Sequence, residues 1–360
     1  MGNSDFSHLG NLLVKNCEAL IRSIPNNTTI PSHAAPSAWK SICLNIIADS
    51  DRFLLEKSDI NIQVFLETNF QPWILVDENE KIASNIMTAY YEAFLIGSRF
   101  KNEEFKWPLY GVPDDLLTID LGLVYPELIG KRIRGKLEGK KVVPYDSREM
   151  IQNFRKDIPV IIWTNDPIDN LFFQIQGSGK ILIIDETDFG KIVRLSYANH
   201  NGQPYRSIGK WLAESGEISI LQASVKNIRF WVQNHPERLL EMLNINPSMV
   251  FFKEEEIINF ELGPIGAYGI PLTPGRSIAV DTNFIPLGTP VFISEIKNNA
   301  NDFFSRLVFA QDTGSVIKGA ARADLYLGFG KKVEDEANNM KKNIRMWVLW
   351  PKESGEPSAK

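Results

Sequence analysis

The C-terminal third of the chain consists of short apolar segments, each of which stops at an aspartate, a glycine or a proline. The segment from Phe309 to Gly330, FAQDTGSVIKGAARADLYLGFG, shows this pattern most clearly and carries carboxylates at Asp312 and Asp324. Short runs of β-branched and aromatic residues bounded by turn residues are typical of β-strands. This part of the chain is therefore predicted to be β-rich, with acidic side chains at the strand ends.

The order of segments along the whole chain favours an α+β protein. Apolar residues recur at helical spacing through the first sixty residues, and several short strand-like segments follow them. A helical patch returns around residues 205–245, where Pro236 is predicted to separate two helices. Because strands and helices do not alternate regularly, a mainly β fold of small barrels with helical additions fits better than βαβ units.

Size and charge limit the classes of protein that need to be considered. A chain of 360 residues suits two domains of ordinary size, and 44% hydrophobic with 23% charged residues is typical of a folded protein. The net charge of -5 and the mixed distribution of acids and bases argue against a nucleic-acid binder. No apolar run is long enough to predict a transmembrane helix.

The cysteines and histidines predict neither a disulfide framework nor a metal site. Cys17 and Cys43 are too few for a framework or a zinc set, and the four histidines lack metal-ligand spacing. At the N-terminus we find no basic region followed by an apolar one, so no secretory signal is expected. Gly2 does not begin a myristoylation motif, because Phe6 stands where Ser or Thr is required.

Three aspartates occupy similar places in the C-terminal strands: Asp281, Asp312 and Asp324. Strand ends around the mouth of a small barrel can bring such side chains together. Burial and like-charge repulsion would then raise the pKa of at least one carboxyl group, which makes it a proton donor at neutral pH. Cleavage of a glycosidic bond requires such an acid. The alternative is that Asp and Gly only mark turns, as they commonly do.

The Asp-Thr-Gly sequence at Asp312 also suggests an aspartic protease, but this reading is weaker. A pepsin-like enzyme needs two equivalent turns whose aspartates share a proton. The only candidate partner is Asp281, which is 312 − 281 = 31 positions away and is followed by Asn283 in the place of the glycine. The polar Gln311 also precedes the acid where an apolar residue is expected.

These segments resemble a known family. DTGSVIKGAARADLYLGFG and SIAVDTNFIPLGTPVFI are similar to the two parts of the three-aspartate domain of the membrane-bound lytic murein transglycosylase A family. FFQIQGSG, NGQPYRSIGKWL and NPSMVFF resemble signatures of the same family's substrate domain. The resembling segments occur in the family's order and extend over roughly residues 86 to 350.

The resemblance implies a double-psi β-barrel with an inserted second β-barrel and a groove between them. The catalytic barrel is expected from residues 1–95 with 256–352, including a helical N-terminal segment at 9–57. The inserted substrate-binding domain is expected from residues 96–255. Residues 353–360 are predicted to be a disordered tail.

The resemblance also implies an activity. The family cleaves the β-1,4 bond between N-acetylmuramic acid and N-acetylglucosamine in peptidoglycan and forms a 1,6-anhydro ring without water. Asp324 aligns with the catalytic acid, which then acts as base, and Asp312 and Asp281 align with supporting aspartates. No metal or organic cofactor is expected. A glycoside hydrolase that uses Asp312 or Asp281 as a base for water, and a non-catalytic peptidoglycan-binding module, remain the alternatives.

A set of polar, aromatic and glycine residues is predicted to bind the sugar chain: Tyr90, Tyr91, Gln176, Gly177, Ser178, Gly179, Tyr205, Arg206, Gly314 and Lys318. An outward-facing tyrosine can stack on a sugar ring, and glycines can expose backbone N–H groups to it. Core packing, a glycine-rich turn and solvated charges are the alternative roles of these residues.

The expected partners are peptidoglycan glycan strands, with other cell-wall enzymes as further candidates, and the chain is expected to be a monomer. By resemblance it is placed in the bacterial cell envelope, in the periplasm or at the periphery of the outer membrane. Members of the family are often lipid-anchored, although no lipobox cysteine is found in this sequence.

Overall fold

A computed structural model describes most of the chain, namely residues 9–23, 36–54, 59–76, 81–83, 85–122, 124–125, 128, 132–257, 259–260, 262–296, 304–314 and 316–357. Gly2 and Phe6, and positions 358–360 of the expected tail, lie outside these ranges. The chain divides into two compact units, residues 1–91 with 261–360 and residues 92–260. Within the described ranges, no helix combines the length and the apolarity needed to cross a membrane.

The helices are α1 (Leu9–Ser23), α2 (Lys40–Ala48), α3 (Ser50–Leu54), α4 (Asp59–Asn69), α5 (Arg148–Phe154), α6 (Pro167–Gln176), α7 (Ile208–Glu214), α8 (Val225–Asn234), α9 (Leu239–Ile245) and α10 (Lys331–Asn339). The strands are β1 (Phe70–Ile74), β2 (Asn85–Ser98), β3 (Trp107–Tyr110), β4 (Leu117–Asp120), β5 (Arg132–Glu138), β6 (Lys141–Pro144), β7 (Val160–Thr164), β8 (Ser178–Ile183), β9 (Ile192–His200), β10 (Val250–Glu255), β11 (Ser277–Val280), β12 (Pro290–Glu295), β13 (Ser305–Asp312), β14 (Ala323–Phe329) and β15 (Lys342–Pro351).

In the first unit, the strands pair in the order β1-β15-β12-β13-β11-β14-β2, and β15 also pairs with β2. The pairing of β11 with β13 is parallel, whereas that of β11 with β14 is antiparallel. Alternate side chains along these strands form one buried apolar cluster, which includes Met87, Ile278, Val280, Val291, Val308, Ala310, Leu325 and Met346. The predicted β-rich character of the C-terminal third is confirmed, and α10 precedes the last strand.

The N-terminal helices pack on one part of this unit. The indole of Trp39 donates a hydrogen bond to the Leu349 carbonyl at 3.0 Å, and its ring meets Trp350 edge to face. Asn16 of α1 accepts a hydrogen bond from the buried Gln311 amide, whose oxygen accepts from the Ser277 hydroxyl. Buried polar groups require hydrogen-bond partners, and the Gln311 side chain has one in α1 and one in β11. Gln311 therefore joins α1 to the strands.

The two cysteines form a disulfide bond between Cys17 in α1 and Cys43 in α2. The sequence predicted no disulfide framework from two cysteines and gave no indication of this single bond. Spacing could not reveal the pairing, because the residues are 26 positions apart and are brought together only when the two helices pack against each other.

The second unit contains two sheets and five of the described helices. In the larger sheet, β8, β9 and β10 are antiparallel neighbours, and β2 runs parallel to β8 through residues 93–97. The carboxylate of Glu92 is fully buried between Arg194 at 2.5 Å and Lys180 at 3.3 Å, which neutralises a charge that would otherwise be costly to bury. The smaller sheet has the strand order β4-β5-β6.

The structure shows the local conformation of four segments for which the sequence made predictions. Tyr90 and Tyr91 lie within β2, which continues to Ser98. The glycine-rich QIQGSG segment is the junction of a helix and a strand, with Gly177 capping α6 at φ 80°. The helical break at Pro236 is confirmed by a 3-10 turn between α8 and α9. The expected tail begins with a 3-10 turn at Lys352–Ser354.

We expect that replacing both cysteines, Cys17→Ala with Cys43→Ala, lowers the free energy of unfolding by about 3 kcal/mol, because the cross-link restricts the unfolded chain. Denaturant unfolding of the full chain, followed by tryptophan fluorescence, measures this change. Reduction of the parent protein should reproduce the loss, whereas the same reductant should leave the double variant unchanged. Equal stability of the parent and the variant under oxidising conditions would contradict the pairing.

Candidate active site

Strand β11 brings two of the three aspartates close together. Its residue Ala279 is the register partner of Asp324 on the antiparallel strand β14 and of Asp312 on the parallel strand β13. Because neighbouring strands lie about 4.8 Å apart, the two aspartate backbones are separated by about 10 Å. The two side chains are near enough for the charge of Asp312 to raise the pKa of Asp324.

Strand β2 supplies one hydrogen-bond donor to each of these carboxylates. Thr88 Oγ1 donates to Asp324 Oδ1 at 2.5 Å, and the Tyr90 hydroxyl donates to Asp312 Oδ2 at 2.7 Å. Residues two apart on a strand point to the same face, so both donors come from one face of β2. The two aspartates therefore converge on that face.

Asp324 is held in an environment that favours its protonated form. Burial is the main cause that raises the pKa of its carboxyl group above the usual value, and the charge of Asp312 adds to this. The hydrogen bond from Thr88 and the positive charge of Arg322 act in the opposite direction. Arg322 also donates to Thr88 Oγ1 at 2.8 Å, which leaves the threonine hydroxyl proton for Asp324.

Asp312 is more completely engaged by the protein. Its Oδ2 accepts from Tyr90, and its Oδ1 accepts from the backbone N–H of Ala267 at 3.0 Å. Burial raises the pKa of Asp312 despite these hydrogen bonds. Burial and the neighbouring Asp312 also raise the pKa of Tyr90 well above that of a free tyrosine, so its hydroxyl stays protonated and remains a donor.

Asp281 lies just beyond the end of β11 and organises the neighbouring loops. Its Oδ1 accepts from the Asn283 backbone N–H at 3.1 Å and from the Asn283 side-chain amide at 2.9 Å, while its Oδ2 accepts from the Gly319 N–H at 3.0 Å. Lys318 Nζ lies 3.8 Å from Asp281 and is largely exposed. Asp281 is 4% exposed and ties the loop before β14 to the end of β11.

The three aspartates therefore differ in what their oxygens can still do. Among the described residues, Asp312 and Asp281 have a hydrogen-bond donor on each oxygen, whereas Asp324 receives a protein hydrogen bond only on Oδ1. A carboxyl group with a raised pKa and an unengaged oxygen can deliver a proton to a ligand and then accept one back. In the part of the chain that the structure describes, no group of three or more acidic, histidine or cysteine side chains is placed to hold a metal ion.

The other residues expected in the first unit take varied positions. Tyr91 points away from Tyr90, is 6% exposed, and donates its hydroxyl hydrogen to Glu334 at 3.1 Å. Gly314 begins the turn after β13, where its carbonyl accepts from the Ile317 N–H. Lys318 lies beside Asp281.

The remaining expected sugar-binding residues belong to the second unit. The N–H of Gly177 is engaged in capping α6, and Ser178 and Gly179 are buried within β8. A side chain at Gly179 would collide with Phe173 at 2.1 Å, so close packing requires this glycine. Gln176 is partly exposed at the end of α6, whereas Tyr205 and Arg206 are exposed before α7.

Sequence reasoning did not identify Thr88 and Arg322, although the structure places both at Asp324. The sequence gives only a weak indication that these residues belong to the site: Thr88 precedes Tyr90 by two positions, and Arg322 precedes Asp324 by two. Alternation along a strand places such pairs on one face only when the strands are known to be neighbours.

Comparison with known proteins places the site within a matched region. The family model described as the MltA specific insert domain matches residues 86–253, and the 3D domain matches residues 276–350, which contain all three aspartates. The chain is 31% identical over 268 residues to the membrane-bound lytic murein transglycosylase A of Escherichia coli K12. That alignment covers 73% of this chain and 64% of the relative, so less than two thirds of the curated relative's length is matched.

Solved structures are similar over a larger share of the chain. A membrane-bound lytic murein transglycosylase from Agrobacterium tumefaciens has a TM-score of 0.80 at 26% identity, with 99% of this chain and 95% of that chain covered. A lytic transglycosylase of Burkholderia pseudomallei has a TM-score of 0.57 at 32% identity, with 97% and 91% covered.

We expect Thr88→Val to raise the pKa of Asp324, because valine has the same shape but cannot donate a hydrogen bond to the ionised carboxylate. Titration of the carboxyl carbon signals by NMR, assigned through Asp324→Asn, measures the change. Thr118→Val, on the exposed strand β4, is the matched control and should leave this titration unchanged. An unchanged or lowered pKa in Thr88→Val would show that the hydroxyl does not stabilise the ionised form.

Proposed function

Because this chain belongs to the membrane-bound lytic murein transglycosylase A family, we propose that it cleaves the β-1,4 bond between N-acetylmuramic acid and N-acetylglucosamine in peptidoglycan. The product would carry a 1,6-anhydro ring on the muramic acid. The observation that carries the proposal is the state of Asp324, whose pKa is raised by burial and whose Oδ2 receives no hydrogen bond from the described residues.

In the first step, protonated Asp324 gives its proton to the glycosidic oxygen as the bond between that oxygen and C1 breaks. Protonation is needed because the leaving oxygen would otherwise depart as an alkoxide. The raised pKa of Asp324 supports this role, since the carboxyl group must hold its proton until the substrate is bound. Thr88 and the positive charge of Arg322 then stabilise the carboxylate that remains.

In the second step, the same carboxylate accepts the proton of the muramyl C6 hydroxyl while the oxygen of that hydroxyl bonds to C1. One carboxylate is sufficient because the substrate supplies its own nucleophile, and the proton taken up restores the acid for the next cycle. An intramolecular attack also avoids the entropic cost of recruiting water. Neither a metal nor an organic cofactor is part of this mechanism.

Asp312 and Asp281 act in this account as supporting residues. A glycoside hydrolase would need one of them to activate water, but the oxygens of both already accept hydrogen bonds from the protein. Asp312 would instead hold Tyr90 and raise the pKa of Asp324. Asp281 would hold the loop that leads into β14.

We also propose that the following residues bind the sugar chain: Tyr90, Tyr91, Gln176, Gly177, Ser178, Gly179, Tyr205, Arg206, Gly314 and Lys318. The exposed Tyr205 and Arg206 offer a ring face and a guanidinium group, which suit a sugar and its carboxylate. The buried Tyr91, Ser178 and Gly179 would contribute by shaping neighbouring positions.

The domain roles follow from the same family membership. We assign the double-psi β-barrel catalytic domain to residues 1–95 with 256–352 and the inserted β-barrel to residues 96–255. The order of strand pairs in the first unit, in which β15 also pairs with β2, supports the first assignment. The match of the insert-domain model to residues 86–253 supports the second.

The cell envelope is the location that we propose, in the periplasm or at the periphery of the outer membrane. Relatives are named membrane-bound, and a disulfide bond is typical of proteins outside the reducing cytosol. The partners would be glycan strands and other cell-wall enzymes, with the chain acting as a monomer.

Asp324→Asn should lower the rate of release of soluble fragments from purified peptidoglycan sacculi by a factor of about a hundred or more, because the amide neither gives nor accepts the proton. The variant should still bind sacculi in a sedimentation assay. Asp335→Asn in α10 is the matched control and should retain activity. Full activity of Asp324→Asn would refute the assignment of the acid.

Folding of the same variant provides a second check. A carboxyl group whose folded-state pKa is raised stabilises the protein at low pH, and this contribution is lost as the pH rises through that pKa. At neutral pH, Asp324→Asn should therefore be at least as stable as the parent protein. A large loss of stability would mean that the inactivity reflects unfolding.

A further inference from the structure

The small sheet of the second unit has one apolar and one polar face. The register pairs Leu117 with Gly135, Ile119 with Ile133, Gly135 with Pro144 and Leu137 with Val142. Directly paired residues of antiparallel strands lie on the same face, so one face consists only of apolar residues and glycine. The opposite face carries Thr118, Asp120, Arg132, Arg134, Lys136, Glu138, Lys141 and Val143.

The middle of the polar face is turned towards the rest of its own unit, whereas residues at its ends, such as Lys141, are exposed. Arg134 Nε donates to Asn199 Oδ1 at 2.6 Å, and Lys136 Nζ donates to Asp146 Oδ1 at 2.7 Å. The apolar face is left to solvent, and its side chains are 54% exposed at Ile133, 62% at Leu137 and 50% at Val142. Contiguous exposed apolar surface of this kind marks a site of interaction.

Positive charge accompanies this face. Residues 131–141 contain six Lys or Arg and one Glu, in a chain whose net charge is -5. Lys140 and Lys141 follow Gly139 at the β5–β6 turn, are exposed, and form no ion pair with any described residue. The two lysines stand next to Leu137 and Val142, so cationic and apolar groups share the end of the hairpin.

Three occupants of this apolar face are considered: a second copy of the chain, a glycan strand and a lipid bilayer. The size and chemistry of the face distinguish among them. Three strands about 4.8 Å apart and at most seven residues long present about 300 Å². A stable protein interface needs about 800 Å² from each partner, which disfavours a second copy of the chain. A glycan strand needs hydrogen-bonding groups, and the side chains of this face have none. A bilayer surface needs only apolar anchors and, for anionic lipids, nearby basic residues.

We propose that the apolar face of the β4-β5-β6 sheet is a peripheral docking surface for a bilayer that contains anionic lipids. Leu137, Val142 and Ile133 enter the boundary between headgroups and acyl chains, and Lys140 and Lys141 lie against the lipid phosphates. Long lysine side chains can keep their charge at the headgroups while their methylene groups contact the apolar layer. This inference does not depend on the proposed cleavage reaction.

The test is co-sedimentation of the full chain with vesicles of phosphatidylglycerol and phosphatidylethanolamine, compared with vesicles of phosphatidylcholine alone. We expect binding to the anionic vesicles that weakens as salt is added. Leu137→Gln should weaken it about tenfold, because glutamine cannot replace the apolar side chain that enters the bilayer. Lys140→Ala with Lys141→Ala should weaken it by about the same factor or more.

Two matched controls test whether the effect is local. Leu221→Gln removes a leucine that is 94% exposed elsewhere in the unit, and Lys210→Ala with Lys226→Ala removes two other exposed lysines. These variants should bind vesicles like the parent protein, and all variants should release fragments from isolated sacculi at the parent rate. Absence of vesicle binding, or equal binding by the hairpin variants, would overturn the proposal. So would a dimer in solution that Leu137→Gln dissociates, because the face would then bind a second copy.

Discussion

The position of two carboxylates on either side of one strand is the constraint on which the site depends. Ala279 of β11 is paired with both Asp312 and Asp324, so the register of three short strands determines how close the acids lie. A shift of one residue in either pairing would turn one acid to the opposite face. Burial raises the pKa of both carboxyl groups, and each accepts a hydrogen bond from strand β2.

The three aspartates differ in how many of their oxygens accept a hydrogen bond from the protein. This difference distinguishes the two structural acids, Asp312 and Asp281, from the reactive Asp324. Tyr90 and Ala267 occupy both oxygens of Asp312, and Asn283 and Gly319 occupy both oxygens of Asp281. Among the described residues, Asp324 accepts a side-chain hydrogen bond only from Thr88, which is oriented by Arg322. One reactive carboxyl group is what a reaction needs when the substrate carries its own nucleophile, whereas hydrolysis generally uses two.

Much of the fold could be predicted from the sequence, because strand ends and helix breaks leave local signals. The aspartates at the ends of β11 and β13, and the break at Pro236, were correctly placed for this reason. Features that depend on contacts between distant segments could not be predicted. The Cys17–Cys43 disulfide requires the packing of α1 on α2, and the role of Thr88 requires β2 to lie beside β14.

The structure also shows the conformation of two segments that the sequence described only in part. Tyr90 and Tyr91 lie in the middle of β2, which continues to Ser98, so alternation along the strand turns their side chains to opposite faces. The glycines after Gln176 were predicted to expose backbone N–H groups to a sugar. In the structure the positive φ of Gly177 allows it to cap α6, whereas close packing against Phe173 requires a glycine at position 179.

The central claim is that Asp324 works with a hydroxyl group of the substrate and not with water. Digestion of purified sacculi in water labelled with heavy oxygen, followed by mass spectrometry of the released muropeptides, tests this directly. The account predicts muropeptides that end in 1,6-anhydromuramic acid and contain no heavy oxygen. Reducing ends that are heavier by one labelled water would contradict it and would identify the enzyme as a hydrolase.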